Sequence, residues 1–195
     1  MDNLIKSIYV DDLDLVDVKT LTNNKCPIVL YDNLDINDDI LEVIGKTNRC
    51  FLLFPTVHGS NDGHWLALLY NDKTNVLEHF DPYALNVQQE MTYSTSRHVQ
   101  ANILGKLYAK AQQQHGTKII FNTVRYQKLT NGINTCGRHC SIRLRFHYLT
   151  PTQYENLMMQ QSTSPDFLVS ILTFLELFEN QSTEEITVKS YLGIR

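Results

Sequence analysis

His64-Trp65-Leu66-Ala67-Leu68-Leu69-Tyr70, Asn71-Asp72-Lys73-Thr74-Asn75 and Val76-Leu77-Glu78-His79-Phe80-Asp81-Pro82 follow one another along the chain. They read as two strands joined by a polar, hairpin-like connection. His64 opens the first strand and Asp81 ends the second. In an antiparallel pair the start of one strand lies beside the end of the next, so the seventeen positions between His64 and Asp81 bring both to one end of the sheet. Pro82 cannot continue a ladder and fixes the backbone as the strand ends, which holds Asp81 at the rim. Taken alone, an acid before proline is an ordinary turn residue. The histidine at the same sheet end gives it a second reading.

Outward from this hairpin, Cys50 to Pro55 is a short continuous apolar run of the buried-strand kind, closed by a turn cluster from Thr56 to Gly63. Ile36 to Gly45 carries apolar residues at helical spacing with Gly45 as a stop, and Cys26 to Tyr31 is extended. Met1 to Asn24 is a leading segment with one short helix. Downstream, Arg97 to Gln114 has helical periodicity ending at Gly116. Lys118 to Asn122 returns to the sheet, and Val124 to Gln127 extends that strand. A loop from Thr130 to Asn134 delivers the chain to Cys136, which starts a helix followed by an apolar stretch ending near Leu149. Thr152 to Gln160 and Phe167 to Phe178 are further helices, the second announced by Ser164-Pro165-Asp166, and the tail from Asn180 is polar, then weakly β-like. Tyr126, Tyr148 and the face Leu168, Ile171, Leu172, Leu175 read as core. The expected fold is α+β, a central mixed sheet flanked by helices, in a single domain over 1–195.

With 195 residues and 43% apolar content the chain can bury a substantial core. No N-terminal run of signal-peptide type and no stretch of bilayer-spanning length occurs, so the four cysteines Cys26, Cys50, Cys136 and Cys140 are expected as free thiols in a reducing, intracellular compartment. A net charge of -4 and a pI of about 5.9 give no general reason to bind nucleic acid or an anionic membrane. Arg138, Arg143 and Arg145 form a local basic cluster whose simplest reading is a solvated helix face.

Cys136 is where the chemistry concentrates. A cysteine at a helix start sits where unpaired backbone N–H groups and the helix dipole favour a thiolate, although a free cysteine is otherwise a small buried apolar side chain. With His64 and Asp81 upstream, a nucleophile, a base and a group to orient the base are all present. Cys140 then packs in the core one turn on. Cys136, His139, Cys140 and His147 also resemble a metal-ligand set, but ligands from one continuous helix are poorly disposed around tetrahedral zinc, and no metal is expected. An inactive binding module keeping the same fold is a further alternative. His58 competes with His64 as base but has no strand behind it, and His79 reads as structural.

Together His64-Trp65, Phe80-Asp81-Pro82-Tyr83, Gln127 and Cys136-Gly137, in that order, resemble the adenovirus endopeptidase (adenain) and the related proteases that act on SUMO-type modifiers. The resemblance covers about Phe51 to Leu149. It implies a papain-like cysteine protease fold with permuted order, His64 as general base, Asp81 as its orienting acid, Gln127 as an oxyanion-hole donor and Cys136 as nucleophile of a cysteine-type endopeptidase. It also implies that Trp65 lines a substrate tunnel selecting glycine-containing sites. The loop from Gln127 to Cys136 is longer than is usual in those families, and Thr135 stands where SUMO-type enzymes tend to have Asp, which favours the viral branch. The substrate is then a capsid or core precursor cut during virion maturation in the host cell, the enzyme acting as a monomer. The alternative is a peptidase removing ubiquitin-like modifiers. No cofactor is required for the chemistry; some adenain relatives use an activating peptide or DNA, which the net charge here does not favour.

Overall fold

The computed structural model describes residues 25–56, 63–130, 133–159 and 163–177. The segment Met1 to Asn24, His58, and the tail from Asn180 lie outside the described residues, as does the side chain of Leu175. A five-stranded sheet is built from β1 (Ile28–Leu30), β2 (Arg49–Pro55), β3 (Gly63–Asn71), β4 (Val76–Phe80) and β5 (Lys118–Phe121), with neighbours in chain order. β2, β3 and β4 are antiparallel, while β1 joins β2, and β5 joins β4, in parallel. Parallel neighbours need a crossover. The first runs through α1 (Ile40–Ile44), and the second through α2 (Val87–Met91), α3 (Arg97–Gln100) and α4 (Ile103–His115). After β5 come α5 (Cys136–Arg145), α6 (Pro151–Met159) and α7 (Pro165–Leu177). The fold is α+β, a mixed sheet between two groups of helices.

Strand alternation divides the apolar residues between two cores. Leu66, Leu68 and Leu77 face Ile40, Leu104 and Leu107 on one side. Trp65, Ala67 and Phe80 face Cys140, Ile142, Leu144 and Val169 on the other. β2 is buried on both faces, with Leu52 in the first core and Phe51 in the second, which is why its sequence is continuously apolar rather than alternating.

Several boundaries differ from the sequence reading, each for a local reason. α1 begins at Ile40 because Asp39 caps it, its carboxylate accepting from the Leu41 N–H at 2.9 Å. Asp35 and Asp38 close a separate turn before it. The expected helix from Arg97 to Gln114 is broken at Asn102, which adopts a left-handed φ of 53°. α2 was not anticipated; Asn86 and Gln89 form a reciprocal capping box at its start. Val124 to Gln127 is not a strand, since the Tyr126 and Gln127 N–H groups both donate to the Pro82 carbonyl, at 2.9 and 3.0 Å. Tyr148 is exposed rather than core.

Of the basic cluster, Arg145 is exposed as expected, but Arg138 and Arg143 are both buried. Arg143 donates through Nε and Nη2 to the two oxygens of Glu78, at 2.9 and 2.6 Å, and its guanidinium also reaches the carbonyls of Phe146 and Leu149. This fork pins α5 to the middle of β4. Removing one member of such a pair leaves an uncompensated buried charge, a loss of about 3–5 kcal/mol. Glu78→Leu should lower unfolding free energy by that order in urea denaturation, and adding Arg143→Met should recover much of it. Equal stability of the single and double variants would contradict this account.

Candidate active site

The site is assembled at the end of the sheet where β3 begins and β4 stops. Gly63 opens β3 opposite Pro55, and a Cβ there would lie 2.2 Å from the Phe54 carbonyl oxygen. The close backbone approach just before His64 therefore requires glycine. At the end of β4, Asp81 is fully buried. Its Oδ1 lies 2.6 Å from His64 Nε2 and accepts the Tyr83 N–H at 2.8 Å, while Oδ2 accepts the Leu85 N–H at 3.0 Å.

The Asp81 backbone is held as firmly as its side chain. Asn122, one residue past β5, accepts the Asp81 N–H through Oδ1 at 2.8 Å and donates Nδ2 to the Asp81 carbonyl at 2.7 Å and to that of Val124 at 3.0 Å. A side-chain amide thus continues the ladder after the backbone of β5 has turned away. The Pro82 carbonyl next receives the Tyr126 and Gln127 N–H groups, so the carboxylate and Gln127 share one turn as their anchor.

Cys136 is close enough to bear on the charge of the His64 ring. With Nε2 committed to Asp81, Nδ1 is the ring nitrogen left for the thiol. Burial of the ring opposes its charging, but the charge and hydrogen bond of Asp81, followed by the interaction with Cys136, outweigh burial and lift the His64 pKa to about 10. For Asp81, burial pushes upward and His64 pulls harder, holding the carboxyl below its ordinary range. The ring of Tyr83 lies over His64 at 4.8 Å between centroids and 32° between planes.

Cys136 is the first residue of α5 and partly buried. Thr135 precedes it without a side-chain cap, because its hydroxyl donates instead to Asp166 at 2.5 Å. The first turn of α5 therefore keeps N–H groups that no Thr135 cap covers. Gln127 is buried, and its Nε2 donates to the Ile133 carbonyl at 3.0 Å.

Trp65 is 7% exposed and belongs to the core under α5, the same cluster against which Cys136 packs. Successive strand residues point to opposite faces, so Trp65 turns away from His64 into the core under α5, packing edge-to-face on Phe51 at 5.9 Å. Tyr83 is the aromatic ring beside His64. His79 is buried between Glu90, at 2.7 Å, and the Tyr108 hydroxyl, at 2.8 Å. The four residues weighed as zinc ligands turn to separate partners: Cys136 to His64, His139 to Asp166, Cys140 Sγ to the Trp65 carbonyl, and His147 to Arg49. Among the described residues no group of three or more His, Cys, Asp and Glu side chains could hold a metal ion, and no helix is long and apolar enough to cross a membrane.

Asn122 and Asp166 had no signal beyond their places after a strand and in a helix start. Tyr83 lay within Phe-Asp-Pro-Tyr but had no role assigned.

No family model matches the chain. It is 28% identical over 162 residues to the uncharacterized protein V9 of Sputnik virophage, an alignment covering 80% of this chain and 91% of V9. Among solved structures it is similar to ChlaDub1 from Chlamydia trachomatis, with a TM-score of 0.42 and 12% sequence identity over 90% of this chain and 75% of that one.

The His64 shift has a definite sign. Its folded pKa lies above the ordinary 6.5, so its stabilisation is complete below that value and is lost as pH rises through about 10. The Asp81 contribution is present above the ordinary 3.8 and is lost as pH falls through its lowered value. Chemical denaturation across pH should therefore show wild type exceeding Asp81→Asn most between these limits, the gap closing as pH climbs towards 10. A gap independent of pH would contradict the ion pair.

Burial of Trp65 leads to a second expectation. Trp65→Ala should reduce stability by roughly 3–5 kcal/mol in urea denaturation. Unchanged stability would contradict its place in that core.

Proposed function

We propose that the chain is a cysteine endopeptidase of the papain-like, permuted kind, with Cys136 as nucleophile, His64 as base and Asp81 as the group that orients it. The single observation that supports this most is the imidazole of His64 held on the Asp81 carboxylate at 2.6 Å, with Cys136 at the start of α5 near enough to bear on the ring's charge. The Cys136 proton passes to His64, and the sulfur attacks the carbonyl carbon of the scissile amide, forming a C–S bond and an oxyanion. The oxyanion faces N–H groups of the first turn of α5 and the second N–H of the Gln127 amide, whose first is already directed to Ile133. Collapse breaks the C–N bond as His64 returns the proton to the leaving amine. Water, deprotonated by His64, then cleaves the thioester and releases the acid.

The substrate we infer is a virion precursor protein cut at glycine-containing sites inside the host cell or the assembling particle. The likeness to a virophage protein supports a viral setting. Tyr83, stacked over His64, is the ring available to restrict bulk beside the reacting centre.

Cys136→Ala should abolish both turnover and labelling by a thiol-reactive probe while the melting curve stays cooperative; Cys140→Ala should retain labelling. His64→Ala should be as damaging as loss of the thiol, and Asp81→Asn should fall between it and wild type. Gln127→Ala should reduce kcat about 10²–10³-fold. Turnover surviving in Cys136→Ala would end the peptidase reading. Cleavage of a ubiquitin-like conjugate but not of a capsid precursor would replace the substrate and keep the chemistry.

A further inference from the structure

The proposed chemistry needs two pieces of chain, Gln127 and Cys136, held in fixed relation across a loop longer than is usual in the families the sequence resembles. The Pro82 carbonyl anchors the backbone before this loop to the Asp81 turn. Nothing in that arrangement secures the far end, where α5 begins. One buried carboxylate spans both.

Asp166 stands in the first turn of α7 and is 1% exposed. Its Oδ2 accepts the backbone N–H of Lys128, the residue after Gln127, at 3.1 Å. Its Oδ1 accepts the Thr135 hydroxyl, the residue before Cys136, at 2.5 Å. The same oxygen lies 3.1 Å from His139 Nε2, one turn into α5. Burial pushes the Asp166 carboxyl upward, but the hydrogen bonds from His139 and Thr135 outweigh it and hold it below its ordinary range. Burial likewise keeps the His139 pKa low against the pull of Asp166, so its ring is neutral and donates Nε2–H. Three donors converge on one carboxylate, whose two oxygens accept from all of them.

We propose that Asp166 is the positioning residue of the site, clamping the chain at Lys128 and Thr135 so that the oxyanion segment and the nucleophile keep one relative placement. This rests on the peptidase reading only for its effect on turnover; the clamp itself is independent of it. Asp166 touches no reacting atom and acts through Thr135 and Lys128. Asp166→Asn removes the charge and one acceptor oxygen, so that the Lys128 N–H keeps its partner only if the Thr135 hydroxyl and the His139 ring reverse to accept from the new N–H₂, a weaker hold on the Cys136 end. A shift of about 1 Å at a reacting centre is sufficient for a loss on the order of 10²-fold.

The experiment uses the full chain as wild type, Asp166→Asn, Thr135→Val and Thr135→Ser, all well below their melting temperatures. Thr135→Val removes the hydroxyl at constant shape and gives a second route should Asp166→Asn not fold; Thr135→Ser restores the hydroxyl. Two readouts require no substrate: hydrogen exchange of the Lys128 amide, referenced to amides of β3, and the rate at which iodoacetamide alkylates Cys136.

Asp166→Asn should accelerate Lys128 exchange selectively, about tenfold or more, and slow Cys136 alkylation by a similar factor. Thr135→Val should slow alkylation, and Thr135→Ser should bring it back towards wild type. Turnover of a Gly-Gly-aminomethylcoumarin peptide, where wild type cleaves it, should fall about 10²-fold in Asp166→Asn with KM little changed. Unchanged alkylation in both Asp166→Asn and Thr135→Val overturns the proposal. So does faster Lys128 exchange shared equally by β3, which is loss of global stability alone. If Cys136→Ala retains full turnover, the peptidase reading fails while exchange and alkylation still decide the clamp.

Discussion

The buried carboxylate of Asp81 is the constraint on which the rest of the site depends. Its charge lies where water does not reach, so it requires partners on every side, and His64, the Tyr83 and Leu85 N–H groups and the Asn122 side chain supply them to its carboxylate and backbone. Those demands shape the neighbourhood. β5 must run beside β4 far enough to deliver Asn122, the turn at Pro82 must present two consecutive amides to its oxygen, and Gly63 must pass against the Phe54 carbonyl before His64 can face inward. A polar group that would be costly to bury alone has become the point to which four segments are fastened.

The two faces of the sheet divide the labour. The face under α1 to α4 is largely apolar, with a buried polar chain in which His79 meets Glu90 Oε1 and the Tyr108 hydroxyl. The face under α5 carries the buried Glu78–Arg143 fork, which sets how α5 lies across β4. That fork fixes the body of the helix, and Asp166 contacts its beginning, so the Cys136 end of α5 is tied from two directions.

The hairpin of β3 and β4 was legible because its periodicity, polar connection and terminal proline all agree, and the proximity of His64 and Asp81 follows from antiparallel pairing alone. α7 was legible from Ser164-Pro165-Asp166, yet the same acid that reads as a helix-start residue is recruited across the fold by Thr135 and Lys128, a role with no local trace. The break at Asn102 was hidden because the apolar positions on its two sides keep helical spacing through the left-handed residue. Arg143 was misread for a related reason: its burial depends on Glu78, 65 positions away, and a charge pattern along one helix carries no information about a carboxylate on a distant strand. Trp65 was assigned by resemblance; alternation from His64 puts its ring in the core under α5, the cluster that Cys136 also packs against. The V9 likeness bears on kinship and leaves these placements to the structure.

The order in which the chain supplies its parts has a kinetic consequence. His64 and Asp81 meet through a short hairpin, whose closure costs little chain entropy, while Cys136 reaches them only after the whole α2 to α4 crossover and β5 are in place. A nascent chain would therefore acquire its histidine–carboxylate pair well before its thiol is docked beside it. During synthesis the Cys136 sulfur would stay away from His64 until the polypeptide beyond β5 has left the ribosome, a delay written into the connectivity.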